Sequence, residues 1–167
     1  MALSLKIITD SSMNSYMSIS EIESKIISQG IEPIRAESGQ IQSLKNELDV
    51  ISLPTTYIDF LERMGNGTKN GFLQGHSYSF KVLPVLKTWA LELLQVNKSN
   101  LTLSQNDFVF WMSQGYMFTF LKLDEGNDPP IYFYTEMKTL NNYIKISDTF
   151  SEFLSRLYLR DKILFKV

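Results

Sequence analysis

Three carboxylates crowd into one short stretch: Asp124, Glu125 and Asp128, in Leu123-Asp-Glu-Gly-Asn-Asp-Pro-Pro130. Acids this close suit a calcium site, or a pair that divides acid and base work. A calcium loop spaces its oxygen ligands regularly and closes on a glutamate, and that pattern is missing. The ordinary reading is a solvated turn. A further reading is an anionic contact surface, and the charge distribution supports it: residues 104–140 hold five acids and two bases, residues 141–167 three acids and five bases. Pro129 and Pro130 restrict the loop, so its carboxylates are expected to be held outward. Glu136, beyond the next apolar run, is a candidate extension of the same surface. Asp124, Glu125, Asp128 and Glu136 are therefore the candidate partner-binding residues.

Other constellations fail on context. Gly65, Gly67 and Gly71 suggest a phosphate loop, but such a loop follows a strand and opens a helix. This one follows a helical pattern, and Lys69 is misplaced. His76 has no cysteine to activate, and Ser77 beside it lacks the strand-turn-helix frame of a nucleophile elbow. No nucleophile, base and orienter can be assembled, which makes a small hydrolase the least favoured of the readings. The aromatics Trp111, Phe118, Phe120, Tyr132 and Tyr134 read as core. A base-stacking sheet would interleave basic residues with them, and Lys122 is nearly alone.

The elements that position these residues follow from periodicity. Asp107 to Lys122 carries two aromatic and β-branched runs around Ser113-Gln114-Gly115, which reads as a hairpin. Ile131 to Glu136 is a third strand. Phe150, Phe153, Leu154 and Leu157 then fall on one face of a helix. Upstream, Ser18-Ile-Ser-Glu21 is a capping box with Ile19, Ile22 and Ile26 behind it. Ile41, Leu44 and Leu48 mark a second helix. Leu53-Pro54 opens a third, with Tyr57, Phe60, Leu61 and Met64 at i, i+3, i+4 and i+7. Phe72 to Val82 is expected to be extended. Pro84 begins a helix with Leu86, Trp89, Ala90 and Leu93 on one face. Residues 1–17 are expected to form a loose arm or edge strand, and 159–167 an edge strand. Adjoining strands imply a largely antiparallel sheet with helices packed on it, the α+β class.

Composition narrows the function. The chain has 167 residues, enough for one domain with its own core. It has no cysteine and one histidine, so disulfides, thiol metal sites and the usual zinc sites are not expected, and no cofactor is implied. A net charge of −2 gives no footprint for nucleic acid. No run approaches the roughly 18 apolar residues of a membrane span, and the first residues lack a signal-peptide pattern. The expectation is a cytoplasmic protein.

Three blocks of residues resemble the SUKH superfamily, the Smi/Knr-type domain. The first is Leu53-Pro54, Tyr57 and Phe60-Leu61, followed by Gly65-Asn66-Gly67. The second is Phe110-Trp111, Gly115 and Phe118 to Leu123, then Pro130-Ile131-Tyr132. The third is Ile146 to Leu154, with Phe150 and Phe153-Leu154. They run in family order from about 41 to 159, within a domain taken as 18–167. The glycine turn is less compact than the family's, Tyr78 to Asn106 diverges, and the first 40 residues fall outside the likeness. The resemblance implies an α+β domain without a catalytic centre. It implies, in bacteria, an immunity protein that binds and neutralises a cognate toxin, often a nuclease. The alternative it implies is a scaffold for an endogenous protein partner.

Overall fold

The computed structural model describes residues 16–161 and 163–165. In chain order the elements are α1 (Ile19–Ser28), α2 (Gln40–Glu47), α3 (Thr55–Met64), β1 (His76–Ser77), α4 (Leu83–Val96), β2 (Asp107–Ser113), β3 (Met117–Lys122), β4 (Ile131–Thr135), β5 (Ile144–Ser147) and α5 (Phe150–Tyr158). The strands form one sheet in sequential order, each antiparallel to the next. This is the expected α+β class.

Local chemistry sets the helix starts. Ser18 Oγ accepts the Glu21 N–H at 3.2 Å, and the Glu21 carboxylate accepts the Ser18 N–H at 2.7 Å, completing the capping box of α1. Thr149 Oγ1 accepts the Glu152 N–H at 3.0 Å and starts α5. Pro54 is the cap residue of α3, one place earlier than a first-turn proline, and it offers no side-chain acceptor. The β2–β3 hairpin turns through Gln114 and Gly115, both with left-handed φ.

The sheet is aromatic on both faces. A bulge lies in β2: Val109 opposes Phe120, and Trp111 opposes Thr119, so Phe110 is the extra residue. Two consecutive rings therefore reach the same helix. Phe110 and Trp111 both meet Phe153 of α5, with centroids 5.6 and 5.2 Å away and edge-to-face geometry. Tyr57 of α3 sits among Phe60, Phe108, Phe110 and Phe150, which joins α3, α5 and β2. On the other face the cross-strand partners Phe118 and Tyr134 stack at 5.2 Å, and Phe120 and Tyr132 at 5.3 Å. Tyr143 closes edge-on over Phe120. Its hydroxyl donates to Thr102 O at 3.1 Å, and Asn97 donates to the Tyr134 hydroxyl at 3.2 Å, so the segment after α4 is tied to that face.

One ion network joins α1 to α3. The buried Glu23 accepts from Arg63 at 2.6 Å and from Arg35 at 2.5 Å, and Arg63 also holds Asp59 at 2.6 Å. These carboxylate bonds hold the Arg63 pKa above its ordinary value, the bond to Glu23 contributing most.

Four expectations need correction. Only His76 and Ser77 of the 72–82 stretch are strand; Leu73 takes a left-handed φ of 63°, and the chain turns repeatedly before α4. Trp89 is 40% exposed, because the buried stripe of α4 is Leu83, Leu86, Ala90, Leu93 and Leu94. Strand β5 was not expected: Lys145 interrupts Ile144 and Ile146, and four residues give little periodicity. Residues 163–165 form a turn rather than an edge strand, with Leu164 buried and Phe165 against Trp111, Phe133 and Phe153. The expected arm at 1–17 lies, for residues 1–15, outside the described residues. Met17 donates its N–H to Ser155 Oγ at 3.2 Å.

Two predictions separate packing from polarity in this core. Phe150→Ala or Phe153→Ala should each cost about 3–5 kcal/mol by denaturant titration, the usual loss for a buried phenylalanine. Tyr57→Phe should leave stability unchanged or raise it. The Tyr57 hydroxyl is fully buried without a hydrogen-bond partner, and removing such a group relieves its desolvation. A large loss in Tyr57→Phe would show that the hydroxyl is bonded in solution.

Candidate protein-binding surface

The acidic loop between β3 and β4 has two halves with different duties. Its first half faces solvent. Asp124 is exposed and accepts from Asn106 Nδ2 at 3.1 Å. Glu125 is exposed and accepts the Tyr132 hydroxyl with both oxygens, at 3.0 and 2.9 Å. Lys122 Nζ lies 5.2 Å above the Tyr132 ring. Burial, with the Glu125 carboxylate, pushes the Tyr132 hydroxyl up to about 12, so it stays a donor at neutral pH. Asp124 and Glu125 are thus held outward by neutral partners, and among the described residues no cation pairs with them directly.

The second half turns inward. The Asn127 carbonyl accepts the Thr56 N–H at 3.1 Å and the Thr56 hydroxyl at 2.8 Å. Thr56 lies in the first turn of α3, whose own cap residue is proline. The Asp128 carboxylate accepts the Ser151 N–H at 2.9 Å, in the first turn of α5. Pro129 behind it is buried. The expectation that all three carboxylates point outward therefore holds for Asp124 and Glu125 but not for Asp128. A free N–H at a helix start draws an acid inward, and the helix dipole adds to the attraction.

Glu136 is exposed but does not join the others. It follows the far end of β4, a strand of five residues or roughly 17 Å. There its backbone N–H donates to Tyr116 O at 3.0 Å, and its carboxylate lies 3.5 Å from Asn97 Nδ2. The four predicted residues thus form an outward pair, a helix cap and a distant single acid.

Sequence reasoning missed a second exposed feature. Val85, Trp89 and Val96 are exposed along one side of α4 at helical spacing, and Leu91 is exposed on another. The hydrogen bonds of Asn97 to Tyr134 and Glu136 bring the end of this helix next to exposed Met137. A signal was available: α4 has more apolar residues than one buried stripe accommodates.

The remaining candidates are structural. Gly65 ends α3, and a Cβ there would run into the Phe80 ring and the Leu61 backbone. Asn66 bonds Arg35 O and Gln40, which ties the glycine segment to the α1–α2 connection. His76 Nδ1 is 3.0 Å from Ser113 Oγ, a serine that sequence spacing did not single out, and its ring lies 4.5 Å from that of Trp111. Burial lowers its pKa. Among the described residues no carboxylate orients that pair, and no three His, Cys, Asp or Glu residues group as a metal site.

The two halves of the loop should respond differently to mutation. Asp128→Ala should cost about 0.5–2 kcal/mol, the usual value of a helix cap. Asp124→Ala and Glu125→Ala should each stay within about 0.5 kcal/mol. Equal melting temperatures for all three variants would mean that Asp128 does not cap α5.

Comparison with known proteins agrees with this architecture. Among curated proteins none matches the chain. Among the described residues no helix is long and apolar enough to cross a membrane. The model of the SMI1 / KNR4 family (SUKH-1) matches residues 35–156. The match takes in α2 to the greater part of α5, with the whole sheet between them, and the chain belongs to the SMI1 / KNR4 family (SUKH-1).

Proposed function

We propose that this protein is a non-catalytic bacterial immunity protein, which binds a cognate toxin in the cytoplasm and neutralises it by occlusion. Family membership supports a protein partner, and the outward pair Asp124 and Glu125 carries the inference about its charge. The two carboxylates are fixed by hydrogen bonds to Asn106 and Tyr132, neither of which neutralises them. Such a pair is ordered before a partner arrives and remains available to a basic surface. A nuclease exposes that kind of surface where it grips phosphate. Opposed charges would hasten encounter and fix register more than they raise affinity. The domain responsible is residues 18–167.

The exposed stripe of Val85, Trp89 and Val96 suits the apolar part of the same interface. Tryptophan is enriched among residues that dominate binding energy, where it fills a pocket within a ring of weaker contacts. The stripe falls in the Tyr78 to Asn106 segment that departs from the family pattern, and toxin specificity is assigned there.

The test is co-expression with a cognate toxin, to be sought first in the reading frame immediately upstream. Asp124→Lys with Glu125→Lys should keep the wild-type melting temperature within a few degrees, since both side chains are exposed and neither caps a helix. The pair should lose protection and weaken association, and wild-type binding should slow as salt rises past the roughly 8 Å screening length of physiological buffer. A double variant that is folded and fully protective moves the interface away from the loop.

A further inference from the structure

The chain contains two Asn-Gly pairs, Asn66-Gly67 and Asn70-Gly71, both on the connection between α3 and β1. Asparagine before glycine is chemically labile, because the absent Cβ lets the glycine nitrogen approach the asparagine side chain. The reaction needs two freedoms. The glycine N–H must be unengaged, so that base can take its proton and the nitrogen can attack. The asparagine carboxamide must be able to turn onto that nitrogen.

Asn66 has neither. The Gly67 N–H donates to Met64 O at 2.9 Å. Asn66 Nδ2 donates to Arg35 O and to Gln40 Oε1, both at 2.8 Å, and Gln40 Nε2 donates back to Asn66 Oδ1 at 3.0 Å. Both ends of the carboxamide are thus tied to partners on the α1–α2 connection and α2. Asn70 is different. It is exposed, and among the described residues its carboxamide makes one long bond, from Nδ2 to Gly30 O at 3.4 Å. The Gly71 N–H has no acceptor among the described residues.

We propose that Asn70 is a site of spontaneous deamidation, and that the fold selects it over Asn66. The Gly71 nitrogen, having lost its proton, attacks Asn70 Cγ. The N–Cγ bond forms, the Cγ–Nδ2 bond breaks, and Nδ2 takes up a proton and leaves as ammonia. Water then opens the succinimide at either carbonyl, giving an aspartyl or an isoaspartyl residue at position 70. Water is the co-reactant, and nothing is oxidised or reduced. Each product carries one more negative charge than the original chain. The isoaspartyl form also adds a carbon to the backbone just before Gly71. There φ is already 75°, and a Cβ on Gly71 would lie 2.9 Å from Ile31 Cδ1, so the connection has little room to absorb the change. The site does not rest on the toxin-binding reading.

The test incubates the protein in warm, mildly alkaline buffer, folded and, in parallel, in denaturant. Tryptic cleavage after Arg63, Lys69 and Lys81 puts the two pairs in separate peptides. Mass spectrometry reads the conversion of each, and labelling by an isoaspartyl methyltransferase distinguishes the products. In the folded protein Asn70 should convert at least about tenfold faster than Asn66, which must first give up several hydrogen bonds of ordinary strength. In denaturant the two rates should converge. Asn70→Gln should melt with the wild type and lose the fast-forming acidic species. Three results overturn the proposal: Asn66 converting as fast as Asn70 in the folded protein, Asn70 staying intact there while it converts in denaturant, or the fast-forming acidic species persisting in Asn70→Gln.

Discussion

Every helix begins with N–H groups that its own turns cannot satisfy, and in this protein two helix starts depend on one loop. Helix α3 opens after Pro54, which has no side chain to offer, and the Asn127 carbonyl supplies the missing acceptor. Helix α5 has its own Thr149 cap but takes a second acceptor from Asp128. The adjacent residues Asn127 and Asp128 therefore pin the two helices whose aromatic rings meet over β2. The packing of Tyr57 against Phe150, with centroids 5.2 Å apart, requires those helices to start side by side. The exposed part of the loop inherits this rigidity. Asp124 and Glu125 project from a segment anchored at one end by β3 and at the other by two helix caps.

Much of this architecture was legible because it is local. The capping box at Ser18, the Tyr57-Phe60-Leu61-Met64 stripe and the three aromatic strands each carry their signal within a few residues, and the structure contains them all. What sequence reading lost depends on distant partners. Asp128 looks like one more loop acid until α5, more than twenty residues later, brings Ser151 to it. Spacing groups Trp89 on one face with Leu86, Ala90 and Leu93, yet those three are buried and Trp89 is exposed. Helical spacing defines a face but not which of two apolar faces is covered, and α4 has apolar residues on both. The 72–82 segment is expected from sequence to be extended, with an interruption at Gly75. Left-handed Leu73 and Gly75, with Gly71 just before them, turn it back instead, and of these Leu73 gives no warning in its type.

The acidic site was legible in part for the same reason. Crowded carboxylates beside two prolines mark a constrained loop, and that much is local. Which of them is free is decided by what lies opposite. Glu136 is five strand residues away from the others, so extended geometry alone separates it from them.

The division of charge between structure and surface follows from burial. Glu23, Glu152 and Asp128 are buried or half-buried, and each is engaged by an arginine or by a helix N–H. Leaving a buried carboxylate without such a partner would be costly, so these acids are committed to the fold. Arg35, Arg63 and Arg156 are committed with them. Arg156 spans Glu152, Asp161 and the Ile146 carbonyl, and so ties α5 to the edge strand β5. Asp124 and Glu125 are exposed acids that form no direct ion pair among the described residues. A chain whose net charge is only −2 thus still presents a local anionic place to its surroundings. Net charge bounds what such a protein binds without specificity, while the pairing of its individual charges determines where it binds with specificity.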